Sequence, residues 1–250
     1  MDSDTERNII ELCGHAGKIL LESGAETARV ESTVEYIGRA AGIDISCHAE
    51  MTAIFVDSNH NPTTHLVKVR TCDFNLQKVD EINTLSRQFT ANQITFEQLK
   101  TGIERIDHAV INFNWPEKIL GAGLVSVAPM LLFQATWQDL TLAFFVGIIG
   151  YLTAQWAGRV VVTPYFSMGI GGLVIGLLAA SLQGIGIATS AQSIIVSALM
   201  PLVPGVAITN SLREIIGRHT ISGMVRAVDA TMTACAIGAG VIIGSLLGHF

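Results

Sequence analysis

Residues 160–212 read VVVTPYFSMGIGGLVIGLLAASLQGIGIATSAQSIIVSALMPLVPGVAITNSL, without one Asp, Glu, Lys or Arg between Val160 and Leu212. A helix rises 1.5 Å per residue, so about 20 apolar residues cross the roughly 30 Å hydrocarbon core of a bilayer. The stretch is long enough for two spans, and Gln183-Gly184-Ile185-Gly186 through Ser190 and Gln192 supplies the turn between them. Three more uncharged runs lie around it, Ile119–Gln138, Leu140–Gly158 and Ala230–Gly248. The expected fold class is an α-helical membrane protein with about five transmembrane helices, at about 119–137, 140–158, 163–183, 190–212 and 230–248.

Charge supplies an orientation. With the N-terminus cytoplasmic, Lys118, Arg159, Arg213, Arg218 and Arg226 all fall inside, and the outer turns near Thr136 and Ile187 carry no cation, as the positive-inside rule requires. The opposite orientation would put all five outside. Trp115, Trp137 and Trp156 stand at span ends, where an amphipathic ring prefers the headgroup level. Met1–Leu12 has no apolar core that would make it a signal peptide, so the first span is expected to direct insertion.

Composition changes near Trp115. Residues 1–112 carry 10 Lys+Arg against 17 Asp+Glu, and residues 113–250 carry 5 against 4, so the formal net charge of −6 divides into −7 in the first part and +1 in the second. Six of the 24 glycines are in the first part and eighteen in the second, as expected where helices approach backbone to backbone in lipid. The division expected is therefore a small cytoplasmic α+β domain over 1–112 and a transmembrane domain over 113–250.

The first part reads as helix, helix, hairpin, helix, helix. Ile9, Leu12, Cys13, Ala16 and Leu20 draw one apolar stripe ended by Ser23-Gly24, and Val30, Val34, Ile37 and Ala41 draw a second, with Gly42 past its end. From Ile45 to Phe55 the period is two, and Asn59-His60-Asn61-Pro62 turns the chain into Thr63–Thr71, which gives a hairpin. Leu76, Val79, Ile82, Leu85 and Phe89 mark a third helix. Thr95-x-x-Gln98 has the form of a capping box opening a fourth, with Leu99, Ile103 and Ile106 inward.

Several chemistries lack their signatures. Cys13, Cys47, Cys72 and Cys235 have no paired spacing and are read as reduced, small apolar residues. His48 and Glu50 alternate on one strand and His60 and His65 flank a turn, but no Cys-x-x-Cys or His-x-x-x-His accompanies them, so no metal and no cofactor is expected. No Gly-x-x-x-x-Gly-Lys-[Ser/Thr] loop is present, which excludes direct ATP drive from this chain. No nucleophile and base are recognisably paired, and the expectation is a membrane transporter rather than an enzyme.

Two segments carry chemistry. Ser23-Gly24-Ala25-Glu26-Thr27-Ala28-Arg29-Val30-Glu31 joins the first two helices. Ser23-x-x-Glu26 fits a second capping box with Arg29 one turn from Glu26; alternatively the start of this helix offers backbone N–H groups and Arg29 to an anionic group. The second segment is Met200-Pro201-Leu202-Val203-Pro204-Gly205 through Asn210, Arg213 and Glu214 to Gly223, Arg226 and Asp229. Two prolines and a glycine must break or kink the fourth span. Freed backbone is tolerated in lipid only against protein or a watery cavity, so the break is either a packing kink or a substrate path. Asn210, Arg213, Arg226 and Asp229 gather after it, where cations attract a carboxylate, although positive-inside anchoring alone would also place arginines there. Asp139 and Asp229 sit at span ends, and no carboxylate lies near a midplane.

The pairing of SGAETARVE near the N-terminus with PLVPGVAITNSLREIIGRHTISGMVRA between the fourth and fifth spans resembles the threonine/serine exporter family, over about Arg7 to Leu247. More narrowly, the chain is similar to the larger component of the split, two-component branch. The resemblance implies a secondary exporter of small polar, carboxylate-bearing metabolites, threonine and serine or C4-dicarboxylates such as succinate, in a bacterial plasma (inner) membrane. It also implies a smaller multi-span membrane subunit as partner, within a homo-oligomer, and no nucleic acid. The matching positions are Gly24, Glu26, Thr27, Arg29 and Glu31 in the soluble part, and Pro204, Gly205, Asn210, Arg213, Gly223 and Arg226 in the membrane part. Glu214 decides nothing at this stage. Gly172-x-x-x-Gly176 with Ala180, and Gly240-x-x-x-Gly244-x-x-x-Gly248, draw small-residue stripes that let a second backbone approach, from another chain or from the same one. The competing class is a membrane-anchored sensor or enzyme whose soluble domain carries the activity.

Overall fold

The computed structural model describes residues 3–59, 61–70, 74–109, 113–132, 135–160 and 163–248. Met1, His60, Thr71 and Cys72, named above, lie outside the described residues. The chain forms two compact units that do not follow chain order. Unit 1 is Met1–Asn112 together with Asn210–Arg226; unit 2 is Phe113–Thr209 together with Ala227–Phe250.

Unit 1 begins with α1 (Ser3–Glu22) and α2 (Thr27–Ala40). Cys13, Ala16 and Leu20 of α1 and Val30, Val34 and Ile37 of α2 are fully buried, which confirms the two apolar stripes. Ser23-Gly24 ends α1 by a Schellman turn: the Gly24 N–H donates to Leu21 O (3.1 Å) and the Ala25 N–H to Leu20 O (3.0 Å), with Gly24 at φ +87°. Ser23 is therefore the close of one helix, not the cap of the next. The N-cap of α2 is Glu26, which makes no side-chain capping bond, so the second capping box does not form.

The hairpin is a three-stranded antiparallel meander, β1 (Ile45–Glu50), β2 (Ala53–Ser58) and β3 (Asn61–Lys68), in the order β1-β2-β3. The long alternating run is cut at Met51-Thr52, a two-residue turn between the paired Glu50 and Ala53. Such a turn pairs odd with even positions. Cys47 faces Val56 and Ala49 faces Ile54, so the buried set moves from Ile45, Cys47 and Ala49 to Ile54 and Val56, while Phe55 turns outward. After the sheet come α3 (Leu76–Thr90), capped by the Asn75 side chain, and α4 (Phe96–His108), where Thr95 and Gln98 close the capping box. Val79, Ile82, Leu99, Ile103 and Ile106 complete the core.

Unit 2 contains α5 (Trp115–Leu132), α6 (Trp137–Val160), α7 (Pro164–Gly184) and α8 (Ala191–Ala198), the first residues of α9 (Gly205–Ile216) and most of α10 (Thr220–Gly248). Three described helices, α6, α7 and α10, are long and apolar enough to cross a membrane. The segment expected as the fourth span is two short helices. Leu202 and Val203 both donate to Leu199 O after α8, and Pro204, with no N–H to give, supplies the carbonyl that receives Ile208 N–H at the start of α9.

The two glycine stripes meet each other within the chain. A Cβ on Gly240 would collide with the carbonyl oxygen of Gly169, and one on Gly244 with that of Leu173; a Cβ on Gly172 would stand 2.7 Å from Ile237 O. Helices α7 and α10 are thus in backbone contact, the approach that only glycine permits. Tyr165 on α7 also donates to the Asp229 carboxylate on α10 at 2.5 Å.

Candidate functional site

The two motif segments come together in unit 1, around a buried ion pair. Glu214 on α9 and Arg226 on α10 are 2% and 4% exposed. The Arg226 Nε donates to both Glu214 oxygens, at 3.1 and 3.2 Å, and its Nη2 donates to Ala25 O at 2.7 Å. Glu214 Oε1 also receives the backbone N–H of Thr27 at 3.1 Å, at the first turn of α2. A carboxylate at a helix N-terminus meets the positive end of the helix dipole and an amide with no intrahelical partner. The anionic group held at the start of α2 is thus the chain's own Glu214.

Two further bonds hold the same junction. Asn210 Nδ2 donates to Gly24 O at 3.2 Å, and the Arg213 guanidinium is bonded to the Glu26 carboxylate. The Arg226–Glu214 pair is buried; the Arg213–Glu26 pair is open, with the Arg213 side chain 65% exposed. Gly223 lets the start of α10 cross α9, since a Cβ there would fall 2.9 Å from Ser211 O. The Thr27 hydroxyl is buried beside this junction and has no hydrogen-bond partner among the described residues.

Next to the junction lies a ring of polar side chains. Glu31 Oε1 accepts the Ala49 N–H at 2.9 Å and stands 3.3 Å from His48 Nδ1, while its Oε2 stands 3.6 Å from His219 Nε2. Glu50 stands 3.3 Å from His48 Nε2 and accepts the Ser222 hydroxyl at 2.9 Å. No group of three or more His, Cys, Asp or Glu among the described residues is arranged to hold a metal ion.

Of the residues selected from sequence, Gly24, Glu26, Thr27, Glu31, Asn210, Arg213, Gly223 and Arg226 are gathered in unit 1. Arg29 stays exposed on the outer side of α2. Pro204 and Gly205 lie in unit 2 at the α8–α9 break, and Asp229 is in unit 2 against Tyr165. Sequence reading missed Glu214, the Ala25 carbonyl, His219 and Ser222. Glu214 had one available signal: it is one of only four acids after residue 112, in a region with five cations.

Away from this site, burial pushes the Cys13 thiol up to about 12. Burial, with the nearby Glu31 and Glu35 carboxylates, pushes Cys47 higher still. Both are free thiols. Asp107 is partly buried, which opposes its charge, yet the His15 hydrogen bond (2.9 Å) and the charges of His15, Lys18 and His108 outweigh that and hold its carboxyl below the usual range.

The family described as "Putative threonine/serine exporter" matches residues 11–248. The chain is 22% identical over 259 aligned residues to "Threonine/serine exporter" of Corynebacterium glutamicum, covering 99% of this chain and 53% of that protein. It is 21% identical to "Probable threonine/serine exporter" of Mycobacterium tuberculosis, covering 95% of this chain and 46% of the relative. It thus spans about half the length of these two relatives. Against "Probable succinate transporter subunit YjjP" of Escherichia coli the identity is 21%, with 97% of this chain and 96% of the relative covered. No solved structure matches. With the family's description covering nearly the whole chain, and both motif segments inside the match, the chain belongs to the threonine/serine exporter family.

Proposed function

We propose that the chain is one subunit of a secondary exporter that moves small, carboxylate-bearing metabolites, threonine and serine or a C4-dicarboxylate such as succinate, across a bacterial plasma membrane. The observation that carries the reading is the cradle around Glu214. A backbone N–H at a helix start and a buried guanidinium hold a carboxylate there, beside the Thr27 hydroxyl, which has no partner among the described residues; this is the donor set a carboxylate substrate requires. In the state described, Glu214 fills the cradle. A substrate carboxylate competes with it for Arg226, and Glu26 plays the same part toward Arg213 in the open. The name of a relative, "Probable succinate transporter subunit YjjP", supports succinate as one substrate and more than one component in the exporter; the second component in this reading is a smaller multi-span membrane subunit, within a homo-oligomer.

The topology belongs to the same reading: about five spans, with α5 and the α8–α9 pair added to the three long helices, and the N-terminus cytoplasmic. Lys118 and Arg159 support it, since both stand over the Trp115 ring, at 5.7 and 5.3 Å, and so mark one end of α5 and α6. Pro204, Gly205 and the break they make then line the path, as unwound backbone does in other transporters.

The test is counter-flow of labelled serine, threonine and succinate in liposomes, with and without the partner subunit. Arg226→Lys keeps the charge but loses the guanidinium fork, and should weaken apparent affinity roughly ten- to a hundredfold at unchanged protein level. Transport by Arg226→Lys equal to wild type would remove the cradle from the substrate path, and no movement of any of the three solutes would remove the export reading.

A further inference from the structure

The sheet of unit 1 has two edges, and only one of them is closed. Met51-Thr52 is a two-residue turn, so Glu50 and Ala53 exchange both their backbone bonds, and along β1 the groups that face away from β2 fall at Cys47 and Ala49. Carboxylates of α2 take both N–H groups: Cys47 donates to Glu35 at 3.3 Å and Ala49 to Glu31 at 2.9 Å. An edge whose donors are occupied in this way resists pairing with another strand.

The other edge is β3. The Val69 N–H donates to Thr52 O at 2.9 Å, which sets the phase of the ladder: Val67 and His65, opposite Ile54 and Val56, also turn their backbone groups to β2. Thr64, Leu66 and Lys68 turn theirs away, and β3 is the last strand of the sheet. Those groups find no partner among the described residues. The irregularity in the ladder, at Asp57/Ser58, comes before this stretch and leaves it straight.

The open edge is complementary to itself. Antiparallel pairing about a two-fold axis at Leu66 sets Leu66 against its own copy and Thr64 against Lys68, all three being positions whose backbone faces out, so each facing pair exchanges both its bonds. The side chains agree. Phe55 and Leu66 are opposite each other on the outer face, 38% and 49% exposed, and across the axis the apolar row continues into the same two residues of the copy. Thr64 is opposite Asp57, so the incoming Lys68 meets a hydroxyl with a carboxylate behind it, and no like charges face each other.

We propose that β3 is the surface through which unit 1 pairs with unit 1 of a second copy of this chain, making one antiparallel sheet across two chains. A self-complementary contact of this kind closes after two copies. The pairing rests on unit 1 alone and not on the export reading, to whose homo-oligomer it gives a contact surface.

The test is copper-catalysed disulfide formation in the purified full chain, carrying Cys72→Ser and Cys235→Ser. Across a bonded antiparallel pair the Cα atoms stand about 5.5 Å apart, inside the roughly 4.4–6.8 Å range of a disulfide. Leu66→Cys should therefore form a covalent dimer at least about tenfold faster than Leu76→Cys, an exposed position on α3. Thr64→Cys and Lys68→Cys read the register. Co-expressed they should cross-link, whereas Thr64→Cys alone should not, since its copy stands roughly 14 Å away. Thr64→Pro, added to Leu66→Cys, removes an N–H aimed at the copy and none aimed at β2, and should slow the dimer at least about threefold. Thr64, Leu66, Lys68 and Leu76 are all exposed, so the reduced variants keep the fold.

Leu66→Cys that reacts no faster than Leu76→Cys overturns the pairing. So does Thr64→Cys that dimerises alone as fast as Leu66→Cys, or Thr64→Pro that leaves the rate unchanged. Capture of Leu66→Cys by the smaller subunit in place of its own copy overturns it too, and gives the edge to that subunit. A chain that cross-links as expected but moves no serine, threonine or succinate with the partner present sinks the export reading and leaves the pairing standing.

Discussion

Unit 1 and unit 2 join distant parts of the chain by opposite means. In unit 1 the segment Asn210–Arg226 is attached by charge: a buried guanidinium, a buried carboxylate and the two backbone groups they satisfy. In unit 2 the last helix is attached by the removal of side chains, with glycines of α7 and α10 laid against each other's carbonyls. Each means suits its surroundings. Buried charge is tolerable only where every donor and acceptor is met, and lipid gives apolar helices no hydrophobic reason to associate, so close backbone packing has to serve.

The largest effect should come from leaving Glu214 alone. Arg226→Met strands a buried carboxylate and should cost about 3–5 kcal/mol in chemical unfolding of unit 1. The pair change Glu214→Leu/Arg226→Met should recover a substantial part of that loss. A double variant no more stable than the single would show that the bonds to Thr27 N–H and Ala25 O matter more than the ion pair, and would narrow the contrast with unit 2.

In unit 2 the corresponding change adds bulk. Gly244→Leu should force α10 away from α7 and cost about 1–3 kcal/mol, seen as a lower melting temperature in detergent with no dependence on salt. A variant that melts like wild type but loses a subunit contact would move the stripe from the inside of the chain to an interface between chains.

The cysteines read the core of unit 1. At pH 8 a thiol whose ionisation is pushed up to about 12 is almost entirely protonated, so Cys13 and Cys47 should alkylate at least about a hundredfold more slowly than a free thiol, until unfolding releases them. Fast labelling in the native chain would show that this core opens locally. The smallest effect concerns Asp107. Its carboxyl is held low in the fold, so its contribution is present above the ordinary carboxylate range and disappears as pH falls through its lowered value. Because the group is about one-third exposed, the contribution is screened to roughly 0.5 kcal/mol or less. Asp107→Asn should lower stability by that amount at neutral pH and flatten the acid limb of the pH–stability curve.

Local signals carried most of the fold. The helix stripes, the Thr95 capping box and the Pro-Gly break are statements about neighbours three or four residues apart, and they appear where their spacing puts them. The turn at Met51-Thr52 was hidden because neither residue is a turn former and Met51 and Ala53 kept the alternation apolar across it. One trace was Ile54, apolar and buried at a position that the alternation from Ile45 to Phe55 leaves on the outward face. The site was legible as two motifs but not as one place. Thr27 and Glu214 are 187 residues apart, a relation to which no local periodicity responds. Arg226 was picked for a substrate, and its main-chain and carboxylate partners inside the chain could not be seen from charge alone.

Because Asn210–Arg226 belongs to unit 1, that unit cannot be finished when its first 112 residues leave the ribosome. Synthesis runs at roughly 5–20 residues per second, so the amide of Thr27 and the carbonyl of Ala25 wait on the order of ten seconds for Glu214 and Arg226, while the intervening helices are made. The early domain is born with an open seat. Its closure then reports that the apolar stretch in between has been threaded, which couples maturation of the first unit to completion of the second.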